Sequence, residues 1–387
     1  MDRSDLNQSY AAFDQSSTLV GVIDMSLKSW VMSGSVPGVT RQPLKKLSAN
    51  PKEVLAQLER WRAEAHKAGH VIERIVVAFE AGRDGFWLAR WLRKRGIEVY
   101  VIHASSIAVS REHRRSKTDR LDTESLMRSV LGWLRGEARH CRMAAIPTLE
   151  EEDARRPTRE REKLVAEQTR LVNRMKATLT RLGITGFNIK LRKAAEKLAG
   201  LRTPDDEPIP PYTLAELYRG LERLAVVRKQ IAAIELARRH RLKATPEAGT
   251  HPLILMIAKI RGIGVETAEM LVQEVLTRKL RDHRAVGRYA GLTGSPDESG
   301  SSRREQGLAK AGNRRVRRGM LQLAWLWLIH QKDSALTQWF RQRTADGRKV
   351  TRKTMIVALA RKLLIALWRF VTTGEVPAGV VLKQAAI

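Results

Sequence analysis

The sequence predicts an α/β domain followed by a mainly helical remainder, and three features point to it. Two apolar, β-branched runs each end in a carboxylate, Leu19–Asp24 and Arg74–Glu80. Stretches with helical spacing alternate with such runs over the first third of the chain. From about residue 150 the pattern turns charged and helical, with few strand-like runs left.

Taken in order, Leu19–Ser26 reads as a buried strand. Lys28–Ser35 suits a second strand after a turn at Ser26–Leu27, and Arg41–Leu47 a third. Pro51–Lys67 carries Val54, Leu55, Leu58 and Trp61 on one helical face. Arg74–Glu80 is the next strand; a Gly82–Gly85 turn leads into a helix through Arg95, then a strand at Glu98–His103. A basic stretch, Ile107–Arg115, precedes Lys117-Thr118-Asp119-Arg120-Leu121-Asp122, which opens a helix running through Leu134. Three strands, helix, strand, helix, strand, helix is the order of a ribonuclease-H-like α/β domain, where ligands gather at strand C-termini.

The composition names the partner class. A chain of 387 residues has room for two or three domains. Lys plus Arg number 71 against 41 Asp plus Glu, a formal charge of +30 and a pI near 10.9. Such an excess calls for a polyanion, nucleic acid first. A membrane surface is the competing polyanion, but no apolar run approaches the ~18 residues of a spanning helix, and no signal-peptide pattern opens the chain. The single cysteine, Cys141, excludes an internal disulfide framework and a cysteine-rich zinc site. The expected setting is reducing and cytoplasmic.

Asp119 and Asp122 are three apart and share a helix face. Acidic residues are common in a first helical turn, where they complement the macrodipole. Two close carboxylates also repel unless a cation sits between them, and Mg2+ prefers a few carboxylates plus phosphate oxygens. Asp24 and Glu80, each at the end of an apolar strand, complete a candidate constellation of four. Two ions held ~3.5–4 Å apart can serve the attacking and leaving oxygens of an in-line phosphoryl displacement.

Beyond Glu150, residues Leu164, Gln168, Leu171, Met175, Thr178 and Leu182 follow alternating three and four spacing, the seam of a coiled coil. A Pro- and Asp-rich linker, Thr203–Pro211, precedes a second helical stretch from Leu214 to Ile234 that can return antiparallel. The expected division is residues 1–150, a helical dimerisation region at 151–250, and a C-terminal domain at 251–387. In that last part Gly262-Ile263-Gly264 joins two helical segments and resembles a helix-hairpin-helix, which offers backbone N–H groups to a phosphate. Residues 289–314 are rich in Gly, Ser and Arg; they read as a flexible basic linker or as a loop presenting a serine with arginines around it. The basic residues concerned are Arg303, Arg304, Lys310, Arg314 and Arg315.

Asp24, Glu80 and Lys-Thr-Asp-x-x-Asp at 117–122 resemble the RuvC-like half of the DEDD transposases of bacterial insertion sequences. Gly262-Ile-Gly264, Gly291-Leu292, Ser299-Gly300, Lys310 and Gly312-Asn313-Arg314 resemble that family's transposase half, in the same order. The family includes the Piv-type DNA invertases and the bridge-RNA-guided recombinases. The resemblance implies that the four acids bind Mg2+, or Mn2+ in its place, and that Ser299 forms a covalent phosphoserine link to DNA, with Ser301 and Ser302 as alternatives. It also implies a homodimer or higher oligomer, and a noncoding RNA that pairs with donor and target DNA. Two other readings stand beside it: a RuvC-like nuclease or junction resolvase without covalent serine catalysis, and a structural nucleic-acid binder.

Overall fold

The computed structural model describes residues 9, 12–82, 85–107, 118–137, 140–299, 302–309 and 311–383. Lys117, Gly300, Ser301 and Lys310 lie outside the described residues, as do the side chains of Arg303 and of several other hairpin residues. The chain divides into two compact units, Met1–Glu152 and Asp153–Ile387.

The first unit is a six-stranded sheet with helices on both faces. Its elements are β1 (Thr18–Met25), β2 (Ser29–Ser35), β3 (Leu44–Ser48), α1 (Pro51–Lys67), β4 (Arg74–Glu80), α2 (Gly85–Arg93), β5 (Glu98–Ile102), α3 (Asp119–Leu134), β6 (Met143–Ala144) and α4 (Leu149–Asp153). The strand order is β3-β2-β1-β4-β5-β6. β1, β4 and β5 run parallel, and the other pairings are antiparallel. Strand alternation sorts the core into two layers. Leu19, Ile23, Val77, Phe79, Val99 and Val101 face α1 and α2, with Val54, Leu58 and Trp61 from α1. Val20, Val22, Val76, Ala78, Tyr100 and Ile102 face α3, which contributes Leu126, Met127, Val130 and Trp133. α1 begins where Asn50 accepts from the Lys52 amide and Pro51 takes the first turn, a favoured N-terminal pairing. The predicted strand–helix order holds throughout; the short β6, only two residues long, carries too little pattern to be foreseen.

The second unit contains α5 (Arg156–Arg181), α6 (Ala194–Leu198), α7 (Pro211–Ala244), α8 (His251–Ala258), α9 (Val265–Leu271), a π-helical turn (Val272–Leu276), α10 (His283–Tyr289), β7 (Gly294–Ser299), β8 (Ser302–Leu308), α11 (Arg314–His330), α12 (Ala335–Arg343) and α13 (Lys349–Thr373). α5 and α7 pack along Leu171, Met175, Leu179, Leu217, Leu224 and Val227. Met175 lies against Gly220, and Arg161 pairs with Glu235 at 2.6 Å. The residue numbers rise on one helix as they fall on the other, so the pair is antiparallel. The C-terminal core is built on Leu271, Val275, Met320, Trp327, Leu363 and Leu367.

The segment read as a linker or loop instead forms an antiparallel hairpin, with Ser299 opposite Ser302 and Glu298 opposite Arg303. Two tryptophans of α11 differ in setting: Trp327 is 1% exposed, while Trp325 is 39% exposed and lies 5.3 Å beneath the Arg352 guanidinium.

Candidate active site and nucleic-acid surfaces

Asp24 and Glu80 reach one place because their strands are neighbours in register. β1 and β4 are parallel, and Ile23 lies beside Phe79. The next residue on each strand is the acid, and alternation turns both toward the face that α3 covers. Asp122 comes from α3, one helical turn before Leu126, whose side chain packs on that face. The three acids, with Ile23, Met25, Gly82 and Leu126, line a single cavity of about 110 Å3. A water needs only ~10–15 Å3 of such volume, so a hydrated cation or phosphate oxygens fit.

Asp119 stands apart. It is the first residue of α3, exposed, and is not among the residues lining the cavity. It lies roughly on Leu126's face of the helix but two turns away, about 10 Å along the axis at 1.5 Å per residue. Thr118, whose hydroxyl accepts from the Leu121 amide, fixes where the helix begins and so where both aspartates sit.

The donors suit a hard divalent cation, being carboxylates from three separate elements. They do not form a closed shell: among the described residues no three Asp, Glu, His or Cys side chains stand at ligand spacing.

In the second unit, Ser299 ends β7 at the tip of the hairpin and is exposed. Paired residues of an antiparallel ladder share a face, so Ser302 and, two residues on, Arg304 lie on Ser299's side. Gly262 adopts φ +90 in the turn between α8 and α9, and Gly264 is the extended residue before α9. The turn is strapped from the C-terminus: the Lys383 ammonium donates to the carbonyls of Ala258 (2.6 Å) and Ile263 (2.7 Å). Arg314 is exposed at the start of α11. Arg315 is engaged by α5, its Nε 2.8 Å from Glu162 Oε2, and Arg318 pairs with the same carboxylate.

Two stretches match known families. Residues 40–184 match a DEDD transposase family, and residues 255–339 match the transposase IS116/IS110/IS902 family. Over 373 residues the chain is 41% identical to the "Putative transposase y4rJ" of Sinorhizobium fredii, covering 93% of each chain. The chain belongs to the IS110 family of DEDD transposases. The transposase therefore acts on DNA, and its family is one of DNA-cutting enzymes. The matched stretches contain Glu80, Asp119, Asp122, Gly262, Gly264 and Ser299, whereas Asp24 precedes them. Among the described residues no helix is long and apolar enough to cross a membrane.

Sequence reasoning missed a set of buried charges in this transposase. Arg238, 3% exposed, lies between Glu266 (2.7 Å) and Glu269, and Glu269 also accepts from Thr158 (3.1 Å) and Arg241 (2.7 Å). These ties join α5 and α7 to α9. A charged residue inside a charged helical pattern gives no signal of burial, because only the partner's position reveals it.

Proposed function

We propose that this transposase cuts and rejoins DNA with two kinds of group, a carboxylate cluster and the Ser299 hydroxyl. The observation that carries the reading is the cavity lined jointly by Asp24, Glu80 and Asp122. Asp24, Glu80 and Asp122 would hold Mg2+, or Mn2+, with Asp119 reaching the ion's water shell from one turn farther out. A divalent ion held there polarises phosphoryl oxygens and stabilises the charge that develops on them. Ser299 Oγ attacks a DNA phosphorus; the Oγ–P bond forms as the P–O bond to the leaving sugar oxygen breaks, and the serine proton passes to that oxygen. The phosphoserine keeps the energy of the broken diester, so an incoming strand hydroxyl can displace the serine without outside energy.

Binding is assigned to the basic surface. Arg314 stands at the N-terminus of α11, where a cation is unfavourable unless an anion joins it. With Arg304 and Lys310, it is proposed to contact DNA phosphates. The Gly262–Gly264 turn is proposed as a helix-hairpin-helix contact, and the α5–α7 arm as the oligomerising element. The excess of positive charge also suits a second polyanion, the noncoding RNA expected to pair with donor and target DNA.

A second reading, a water-using metal nuclease, is favoured by one fact: the cavity draws all its lining residues from the first unit. Incubating the protein with donor and target DNA, the guide RNA and Mg2+, then denaturing, separates the two. A serine-linked DNA adduct supports recombination; clean cleavage without one supports the nuclease.

A further inference from the structure

The chain enters the serine hairpin past Gly291 and leaves it at Gly312, and these two points touch. A Cβ on Gly312 would stand 2.4 Å from the Tyr289 carbonyl oxygen, and one on Gly291 2.0 Å from that of Ala311. Both glycines have positive φ, +87 and +65, so side chains are excluded by sterics and by backbone conformation together. The Asn313 amide donates to the Tyr289 carbonyl at 2.6 Å, and the Ala309 amide to the Thr293 carbonyl at 3.1 Å. The root of the hairpin is thus a small, closely determined structure.

One buried carboxylate underlies it. Glu274 sits on the π-helical turn and is 2% exposed. It accepts from Arg159 of α5 at Nε (2.9 Å) and Nη2 (3.2 Å), and from Asn313 Nδ2 at 3.0 Å. Asn313 Nδ2 also reaches the Tyr289 hydroxyl at 3.3 Å, while its Oδ1 accepts from the Arg315 and Val316 amides and caps α11. Arg278 donates to the Glu274 carbonyl at 3.0 Å and stacks 4.7 Å over the Tyr289 ring. Burial pushes the Glu274 carboxyl up, but the Arg159 hydrogen bond and charge, with Asn313 and Arg155, outweigh it and hold it below its ordinary range. A buried ion pair is seldom retained for stability alone, since apolar residues fill such space at lower cost. A carboxylate here does what an apolar residue cannot, which is to fix two donors in direction.

We infer that Glu274 is the positioning residue of the serine hairpin, locking Asn313 and the hairpin root to Arg159 on α5. The inference rests on the reading of Ser299 as nucleophile only for its catalytic consequence; the mechanical link stands separately. Through it, α5 sets where the hairpin tip points. A displacement of ~1 Å in a reacting group can cost ~100-fold in rate, so a loosened root is felt at Ser299 without any contact to DNA.

The test uses full-length protein with spin labels on cysteines replacing Glu167, exposed on α5, and Arg304, exposed on β8, with Cys141 replaced by Ala. Glu274→Gln keeps the size but turns an amide donor toward Arg159 or Asn313. Asn313→Ser keeps a helix-capping hydroxyl and removes the amide that links to Glu274. Both variants are expected to widen the label–label distance distribution at least twofold. In unlabelled protein they are expected to lower serine-linked adduct yield about 10- to 100-fold, with DNA affinity within about twofold. Unchanged distance distributions in either folded variant overturn the inference, whatever happens to activity. If the unsubstituted protein forms no Ser299 adduct, the nucleophile assignment fails, while broadened distances still uphold the mechanical link.

Discussion

Asp24 and Glu80 end neighbouring parallel strands in register, one residue past the Ile23–Phe79 pair, and line the same cavity. Residues side by side on adjacent strands are ~4.8 Å apart at the backbone, so a cation of the kind proposed would lie within reach of both carboxylates. Asp122→Asn is expected to lower strand cleavage by ~100-fold or more, the usual cost of losing one electrostatic stabiliser. Asp119→Asn should cost several-fold less, because Asp119 is exposed outside the cavity. DNA affinity in a gel-shift assay should change little in both. Equal losses of cleavage would place Asp119 directly on the shared ion.

Affinity for DNA should fall steeply with salt. Each phosphate neutralised contributes about −0.9 to the slope of log K against log salt, and the chain carries an excess of thirty cationic residues. Titrations between 50 and 200 mM salt, roughly the range over which such contacts lose ~10³–10⁵ in affinity, measure this directly. A slope near zero would remove DNA phosphate as the main contact.

Most of the first unit was legible because its central strands are continuous apolar runs and α1 keeps one apolar face, whereas the two-residue β6 carries no pattern. Val20, Val22 and Asp24 alternate with Leu19 and Ile23, and Asn50-Pro51 marks the start of α1. The carboxylates could be found because each follows an apolar run that ends where the sheet ends. The hairpin around Ser299 was read as a loop because its two strands, Gly294–Ser299 and Ser302–Leu308, are polar and charged in sequence with no apolar alternation. Glu274 and Arg238 were invisible for a related reason: their partners lie 39 to 115 residues away and 28 to 31 residues away respectively. The separation of Asp119 from Asp122 depends on where α3 meets the sheet, which helical spacing does not specify.

Removing Arg238 should be among the costliest single changes in the second unit. Glu269, 1% exposed, and the half-buried Glu266 would lose a cation they both contact. Burial already pushes the Glu266 carboxyl above its ordinary value despite Arg238 and Arg161. Arg238→Ala is expected to destabilise by ~3–5 kcal/mol, the usual cost of breaking a buried ion pair from one side. Denaturant unfolding measures it; a loss under about 1 kcal/mol, the scale of an exposed pair, would show that the cluster is solvated.

Cys141 provides a pH-dependent probe of the first unit. It is buried, and burial pushes its thiol up from 9.0 to about 11. The folded state therefore holds the proton more tightly than the unfolded chain. Its contribution to stability is complete below pH 9 and is lost as the pH rises through 11. At pH 8.5 the thiol is expected to react with iodoacetamide at least ~10-fold more slowly in folded protein than in urea, since only the thiolate attacks. Equal rates would mean that the site opens freely.

The hairpin register makes the choice of nucleophile a specific question. Ser299 and Ser302 are paired across the tip, so both hydroxyls are carried on one face with Arg304. Ser299 ends the incoming strand beside Gly300, while Ser302 begins the basic strand that continues Arg303-Arg304. On the proposed reading Arg304 would neutralise charge developing at either serine, and its fork suits two phosphoryl oxygens. Ser299→Ala is expected to abolish the covalent adduct and strand exchange while leaving affinity within about twofold, as phosphate contacts carry binding. Ser302→Ala should retain adduct within several-fold. Arg304→Ala should lower adduct formation by ~10²–10³, in the manner of losing a charge-stabilising donor, with a smaller loss of affinity. Peptide mapping of the trapped adduct decides the matter: label on Ser302 would move the nucleophile across the hairpin, and adduct surviving in the double serine variant would exclude both.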